Sequence, residues 1–285
     1  VCIKGDLLIV GDPDKNYSSV NNSGGCAYIF QNVGGNWIQR RQIFSVSPSP
    51  FGRFGEAVTI DNEFAAIGER GYLSNSTPGG VGSVHIYRRN GTSWINTPSL
   101  QTIFGDNVLG DFGVSVDIDG HKLIVGQSAD DFGNSNTPST GSAFIFSFNN
   151  GSWTMTRKLF STDSKPDDYF GWSVAISGSQ AIVGSYPHIL NQFGQDSILW
   201  AGAAYIFNEV GGTWPLEQKI VASGRTIETT PTPNGGTSGS VFGFDVDIDG
   251  NQVIVGAFGA SRDELGNNFF AVSGAAYIFR KNPNL

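Results

Sequence analysis

The chain has little charge and no dense group of cationic residues. Among its 285 residues, 17 are Lys or Arg and 25 are Asp or Glu, which gives a net charge of −8. Nucleic acids and anionic membranes bind through concentrated positive charge, so we expect neither as a partner. No apolar run approaches the ~20 residues of a membrane-spanning helix, so we expect no membrane insertion.

Glycine and phenylalanine are abundant, with 39 and 21 copies. This composition suits many short strands joined by tight turns and suits helices poorly, so we expect an all-β protein. A Phe-Gly pair begins at Phe54, Phe112, Phe170 and Phe242, and each pair leads into a similar segment. One glycine can be aligned in five copies, at a spacing of roughly 58 residues with a longer insert before the last, as in propellers and repeat arrays. These glycines are Gly11, Gly68, Gly126, Gly184 and Gly256.

The third copy shows the pattern of strands within one repeat. Residues 114–118 alternate apolar with small or polar side chains, as a strand with two different faces does. Asp119-Gly120 then predicts a two-residue hairpin turn, and residues 123–126 form an apolar run typical of a covered strand. After a long loop, residues 141–146 predict a third strand, and a short turn leads to a fourth strand that carries Trp153. The repeat is therefore a four-stranded antiparallel meander.

Four-stranded meanders repeated around an axis are the blades of a β-propeller, in which each sheet covers the apolar face of its neighbour. The repeats predict one propeller domain over residues 1–285, with blades at residues 1–46, 54–104, 112–161, 170–222 and 242–282. The last blade lacks its outer strand and the Trp of that strand. We therefore expect an open edge there, and an open edge can pair with another strand.

The two cysteines fall on the first and third strands of the first blade. Because neighbouring strands lie ~4.8 Å apart, Cys2 and Cys26 are expected about 9.6 Å apart, beyond the ~4.4–6.8 Å that a disulfide spans between Cα atoms. A frayed N-terminus would change that geometry. The sequence leaves the redox state of the two thiols open.

The repeated elements resemble those of a known family. The Phe-Gly lead, the Val-x-Ile strand, the Ile-Val-Gly stop and the Gly-x-Ala-Tyr-Ile-Phe strand before Gly-x-x-Trp are similar to FG-GAP repeats. These repeats form the blades of integrin α-subunit head domains and of many bacterial surface proteins. The resemblance covers residues 1–281 and implies the propeller fold, whereas such blades serve adhesion, carbohydrate binding and enzyme-attached modules alike.

Many members of that family carry a calcium loop of alternating aspartates. Residues 245–250 look like one, but Val246 and Ile248 take buried strand positions, so the carboxylates of this strand cannot surround a single ion. A better match to the family's loop position follows the second strand of the first blade, although Lys15 interrupts it and a solvated acidic turn is the alternative. Its possible calcium ligands are Asp12, Asp14 and Asn16.

The long loops between second and third strands gather on one face of the predicted ring, which we call the long-loop face. Ligand contacts are expected there, and aromatic residues outside the repeat pattern are the best candidates because such rings stack on sugars and anchor protein interfaces. Packing of each loop on its own aromatic residues is the alternative. The candidate ligand-binding residues are Tyr17, Tyr72, Phe132, Tyr186, His188, Trp200 and Phe269.

Tryptophans divide between scaffold and candidate site. Four recur at the repeat period and are predicted to lie in the core, namely Trp37, Trp94, Trp153 and Trp214. Trp172 stands at the variable position of a first strand, equivalent to Glu56, Val114 and Phe244, and is predicted to lie near the central channel. Trp200 belongs to neither group and is the leading ligand-binding residue.

These features favour a non-catalytic binding or adhesion module, secreted or at the cell surface, that contacts a protein or glycan through the long-loop face. The three histidines fall in different blades, so no metal triad or Ser-His-Asp arrangement is visible. One alternative is a carbohydrate-binding lectin. Another is a structural subunit of a surface fibre that self-assembles through the open edge of the last blade. Acidic loop pairs such as Asp167-Asp168 leave a glycosidase as a more distant alternative.

Overall fold

The computed structural model describes residues 1–16, 24–45, 52–70, 81–91, 93–94, 99–106, 110–131, 139–190, 193, 200–222, 240–260 and 274–281. Within these ranges the chain forms twenty β-strands and no helix, which confirms the all-β prediction. A membrane-crossing helix is accordingly not found among the described residues.

The strands form five antiparallel sheets in a propeller arrangement, one from each repeat. The first blade contains β1 (Cys2–Lys4), β2 (Leu7–Asp12), β3 (Cys26–Val33) and β4 (Asn36–Phe44). The second contains β5 (Val58–Ile60), β6 (Phe64–Glu69), β7 (Ser83–Asn90), β8 (Ser93–Trp94) and β9 (Gln101–Phe104). The third contains β10 (Phe112–Asp119), β11 (Lys122–Gln127), β12 (Ser142–Asn149) and β13 (Ser152–Leu159). The fourth contains β14 (Ser173–Ser177), β15 (Gln180–Ser185), β16 (Ala203–Asn208) and β17 (Leu216–Ile220), and the fifth β18 (Phe242–Asp249), β19 (Gln252–Ala257) and β20 (Ala275–Arg280).

Each sheet is a meander whose strands pair in chain order, except that β8 and β9 both pair with β7. The fifth sheet has three strands, which confirms the prediction that the last blade lacks its outer strand. In the first sheet β2 separates the strands that carry Cys2 and Cys26, and both thiols are free. Val246 and Ile248 of β18 are buried, with exposed aspartates between and beside them, as the alternation predicted.

The Phe-Gly lead joins each blade to the blade before it. Phe170 is fully buried and pairs with Gly141 of the third blade through an isolated parallel bridge. Gly171 has a φ of +92°, and a Cβ atom there would lie 2.1 Å from the carbonyl oxygen of Ser142. A Cβ atom at Gly126 would lie 1.9 Å from the carbonyl oxygen of Gly171. Two backbones in direct contact thus require glycine on both sides, which explains why these glycines recur.

The apolar core is divided into four clusters, each lying between two successive blades. Fourth-strand tryptophans contribute by packing toward the preceding blade. Trp153 is 2% exposed and its ring centroid lies 5.2 Å from that of Phe64, while Lys122 places its Nζ 5.3 Å from the ring centroid of Trp214. Trp37 is 40% exposed, because among the described residues no blade stands before the first one to cover it. The core prediction was therefore wrong for Trp37.

The fifth blade has a face that the described residues leave uncovered. Ile254 and Ile278 are 41% and 72% exposed, whereas their equivalents in the third blade, Ile124 and Ile145, are 0% and 1% exposed. At Gly256 an added Cβ atom would meet no atom closer than 3.6 Å, and the nearest atoms belong to its own blade. The joint that closes every earlier blade is thus open here.

Candidate binding surface at the inner rim

First strands of successive blades contact one another along the inside of the propeller, as β10 with β14 and β14 with β18 do. On the long-loop face, each of the second to fifth blades places two residues at this inner position. One follows Phe-Gly, and the other lies two residues after the glycine that ends the second strand. We call this set the inner rim, and its pairs are Glu56 with Arg70, Val114 with Ser128, Trp172 with Tyr186, and Phe244 with Phe258.

The fourth and fifth blades fill the rim with aromatic rings. Together with two neighbours from the adjoining loops, these rings form the aromatic half of the rim, composed of Tyr169, Trp172, Tyr186, Trp200, Phe244 and Phe258. Tyr186 lies at the centre, with ring centroids 4.9 Å from Trp172, 5.5 Å from Phe244, 6.0 Å from Tyr169 and 6.2 Å from Trp200. Phe258 packs edge-on against Phe244 at 4.7 Å. Six rings from two blades thus form one connected cluster.

This cluster differs from core packing because its rings remain open to solvent. Phe258, Trp200 and Phe244 are 53%, 46% and 36% exposed. Burial, with a smaller contribution from Tyr169, raises the pKa of Tyr186, and Arg70 acts in the opposite direction. Tyr186 therefore stays neutral near physiological pH, and the cluster presents a preassembled, uncharged aromatic surface.

Backbone contacts hold two of these rings in place. Tyr169 and Trp200 have positive φ values of 48° and 58°. The amide of Tyr169 donates to the carbonyl of Ser139 at 3.0 Å, and the carbonyl of Trp200 accepts from the amide of Val241 at 2.9 Å. Because Ser139 and Val241 also have positive φ values, this is one repeated joint between a loop and the next Phe-Gly lead. The joint fixes where both rings stand.

The first and second blades fill the same face with charge. The Arg70 guanidinium lies 2.8 Å from Asp111 and 3.4 Å from Glu56, and Arg53 contacts Glu56 at 3.2 Å and Asp14 at 2.9 Å. Burial opposes the charged form of Arg70, but Asp111 and Glu56 outweigh it and raise its pKa. We call these five residues the charged half of the rim. Its charges are paired with one another.

The possible calcium ligands adjoin residues 17–23, which lie outside the described residues. Asp14 is 70% exposed and its carboxylate is paired with Arg53, while the carbonyl of Asp12 accepts a hydrogen bond from the amide of Lys15. Asp12 is half-buried and Asn16 is exposed at the end of the turn. No group of three or more His, Cys, Asp or Glu side chains in the described ranges is arranged to hold a metal. Calcium at Asp12, Asp14 and Asn16 therefore stays a prediction, and an ion there would compete with Arg53 for the carboxylate of Asp14.

The structure describes three of the seven candidate ligand-binding residues and places them in different surroundings. Tyr186 and Trp200 meet in the aromatic half of the rim. Tyr17, Tyr72, Phe132 and Phe269 lie outside the described residues. His188 is fully buried, whereas Trp200 is 46% exposed.

His188 belongs to a buried polar cluster. Its Nδ1 lies 2.8 Å from Asp168 and its Nε2 lies 2.8 Å from the Nζ of Lys219, which contacts Asp163 at 2.6 Å. Burial lowers the pKa of His188, but Asp163 and Asp168 outweigh burial and raise it. Burial likewise opposes ionisation of Asp163, yet hydrogen bonds from His188, Lys219 and Ser161 hold its pKa well below the usual range. Because the Lys219 ammonium can only donate, it bonds Nε2 while the His188 ring is neutral and the Nδ1–H of the ring donates to Asp168.

Equivalent clusters lie under the loops of other blades. His85 contacts Glu69 at 2.9 Å in the second blade, and Lys158 contacts Asp130 at 2.7 Å in the third. Lys158 and Lys219 take the same register opposite the third strand, at Phe144 and Tyr205. Lys158 and Lys219 therefore connect the outer strands of their blades to Asp130 and His188, which follow the second strands.

The protein is a β-propeller of repeated meanders that the Phe-Gly leads join to one another. Its loops and inner rim differ from blade to blade and include the aromatic surface. The FG-GAP repeat model matches residues 109–146, 153–207 and 228–279, which together make up about half of the chain. The chain belongs to the FG-GAP repeat family, as its motifs predicted. No curated protein is similar enough to the chain to count as a relative.

Proposed function

We propose that this protein is a non-catalytic binding module, secreted or displayed at a cell surface, that holds a protein ligand against the aromatic half of the inner rim. The observation that carries the proposal is the connected cluster of six rings, three of them more than a third exposed. Rings that are already assembled lose little conformational freedom on binding and supply large contact areas, as at the energetic centres of protein interfaces.

The placement of the titratable groups supports binding rather than catalysis. Two groups with shifted pKa values, Asp163 and His188, are engaged with Lys219, whose side chain is 6% exposed. In the charged half, Arg70 is already paired with Asp111 and Glu56. An incoming ligand would have to break these pairs, whereas the aromatic rings are exposed without such a cost.

The test uses peptides selected from a phage-displayed library on the wild-type protein. Trp200→Ala and Phe258→Ala are expected to weaken binding of the selected peptides about tenfold or more, because both remove exposed rings from the cluster. Trp37→Ala is the matched control, since Trp37 is 40% exposed but lies on the fourth strand of the first blade. Equal binding by all four proteins, or an equal loss in Trp37→Ala, would overturn the proposal.

A carbohydrate ligand is the second candidate, favoured by one feature of the rim. Tyr169 and Tyr186 are stacked with 22° between their planes, beside the exposed ring of Trp200. Flat aromatic faces of this kind stack on the apolar faces of sugar rings. Binding on a glycan array that Trp200→Ala abolishes and Trp37→Ala preserves would support a lectin, and an array without signal would contradict it.

A further inference from the structure

Four rings of the aromatic half carry a polar atom that has no hydrogen-bond partner among the described residues. We call them the polar rings, and they are Tyr169, Trp172, Tyr186 and Trp200. All four side chains remain at least partly open to solvent. Tyrosines elsewhere in the fold are engaged, as Tyr205 is, whose hydroxyl donates to Asp163 at 3.0 Å. The hydroxyl and indole groups of the polar rings are therefore available to a ligand.

These available groups are mainly hydrogen-bond donors. An indole N–H can only donate, whereas a tyrosine hydroxyl can donate or accept. Two backbone carbonyls beside them already accept hydrogen bonds, that of Tyr169 from the amide of Trp172 at 3.0 Å and that of Trp200 from the amide of Val241 at 2.9 Å. The polar rings thus offer a ligand up to four donors and only two side-chain acceptors.

A polypeptide meets a surface of this kind best where its backbone has carbonyls without N–H groups. Proline keeps its carbonyl and lacks the amide hydrogen. A proline-rich segment in the polyproline II conformation has no internal hydrogen bonds, so its carbonyls are free to accept from the rings. An ordinary segment would place amide N–H groups against aromatic carbon, and a buried donor without a partner is costly.

The arrangement of the rings suits such a segment. The ring centroids of Tyr169 and Trp200 lie 6.0 and 6.2 Å from that of Tyr186, with 22° and 36° between the planes. Each separation equals about two residues of a polyproline II helix, which rises ~3.1 Å per residue. Trp172 stands more steeply beside Tyr186, at 4.9 Å and 62°. Proline-rich segments dock in aromatic-lined sites of this kind.

Both sides of this contact would lose little conformational freedom. The backbone joint with positive φ values at Tyr169 and Trp200 already holds two of the polar rings in place. A polyproline II segment is likewise extended before it binds. Preorganised partners retain more of their contact energy as affinity.

We infer that the aromatic half of the inner rim binds a proline-rich segment of a partner protein in the polyproline II conformation. Its pyrrolidine rings pack on Tyr169, Tyr186 and Trp200, and its carbonyls accept hydrogen bonds from the polar rings. The inference rests on the proposed function, because it names the class of ligand for the same surface.

The probe is fluorescein-labelled decaproline, and a labelled decapeptide of alternating Gly and Ser is its flexible control. Fluorescence anisotropy with the wild-type protein is expected to show saturable binding of decaproline, about tenfold tighter or more than that of the control. Trp200→Ala should weaken decaproline binding about tenfold, whereas Trp37→Ala should preserve it. Absence of saturable binding, or equal binding of the two peptides, would overturn the inference.

Conservative variants separate hydrogen bonding from ring packing. Tyr169→Phe and Tyr186→Phe keep the rings and remove a donor, so each should weaken decaproline binding about three- to tenfold. Tyr28→Phe is the matched control, since it removes a hydroxyl from the third strand of the first blade. Thermal melts verify that the three variants fold. Full binding by both rim variants, or an equal loss in Tyr28→Phe, would contradict the inference.

The result can be distinguished from that for the proposed function. Phage-selected peptides that require Trp200 but contain no proline-rich stretch, together with no binding of decaproline, would overturn the inference and leave the binding module in place. Failure of decaproline and of every selected peptide to depend on Trp200 would overturn both. Competition between decaproline and the selected peptides for the wild-type protein would support both.

Discussion

The two halves of the inner rim are built on the same repeated backbone structure. They differ in whether their side chains already have partners within the protein. In the charged half, Arg70 contacts Asp111 and Glu56, so its charge is already paired within the protein. In the aromatic half, Phe244 and Phe258 pack together yet remain 36% and 53% exposed. Because the repeat determines the backbone of both halves, their side chains determine which half binds a ligand. The exposed aromatic rings can bury further surface against a ligand, whereas the paired charges would first have to separate.

The largest effect is expected where the joint beneath the aromatic half is broken. A Cβ atom at Gly184 would lie 2.1 Å from the carbonyl oxygen of Gly243, next to Phe244. Gly184→Ala should therefore lower the free energy of unfolding by about 3 kcal/mol, as overpacking does. Gly256→Ala, at the same position of the uncovered fifth blade, should change it by less than about 1 kcal/mol. Urea denaturation measures both, and similar losses would contradict the account of the joint.

The next largest effect on stability is expected from removing a cation from the charged half. Arg70→Met leaves Asp111 without its cation and Glu56 with Arg53 alone, while these side chains are 20% and 22% exposed. Unfolding should become about 2 kcal/mol easier, between the values for exposed and buried pairs. The control Arg53→Met loses a contact with the exposed Asp14 and one with Glu56, which keeps Arg70, and it should cost less. Peptides that bind the aromatic half should bind Arg70→Met normally, and a large loss of binding there would show that the halves act together.

Trp200→Ala should have the opposite effect to Arg70→Met, with a small loss of stability and a large loss of peptide binding. Because Trp200 is 46% exposed, its removal should cost about 1 kcal/mol or less in stability, while binding of rim-selected peptides falls about tenfold. Thermal melting and peptide titration on the same sample give both numbers. A loss of several kcal/mol in stability would mean that the ring is scaffold.

The smallest effect is a pH dependence of the buried polar cluster around His188. The pKa of His188 is raised from 6.5, so its contribution to stability is present below pH 6.5 and is lost as the pH rises through the folded-state value. The pKa of Asp163 is lowered from 3.8, so its contribution is present above pH 3.8 and is lost on acidification. His188→Gln should remove the loss on the alkaline side in melts between pH 5.5 and 8.5. An unchanged pH profile would contradict the raised pKa of His188.

The fold could be predicted because its determinants are local and recur. Gly126 and Gly171 are required by one contact between two backbones, and that contact is repeated at each joint, so the pattern is visible in the sequence. Trp37 shows the limit of this reasoning. It satisfies the local pattern, but burial of a fourth-strand Trp depends on the neighbouring blade, which is not a property of the segment itself.

The candidate site was predictable only in part. Tyr186 and Trp200 were found because they are aromatic residues outside the repeat pattern. Tyr169 was missed because it immediately precedes Phe170 and reads as part of the lead, although an aromatic residue there is unlike Arg53, Asp111 and Val241 in the other copies. The charged half was missed because Arg70 and Asp111, 41 residues apart, meet through the packing of separate blades.

Hydroxyl-radical footprinting of the protein with and without a rim-selected peptide tests the central claim most directly. It reports the solvent exposure of individual rings in one experiment. The account predicts that bound peptide protects Trp200 and Phe258 from oxidation, while Trp37, equally a surface ring, is oxidised as before. Unchanged oxidation of Trp200 and Phe258 in the complex, or protection of Trp37 in their place, would contradict it.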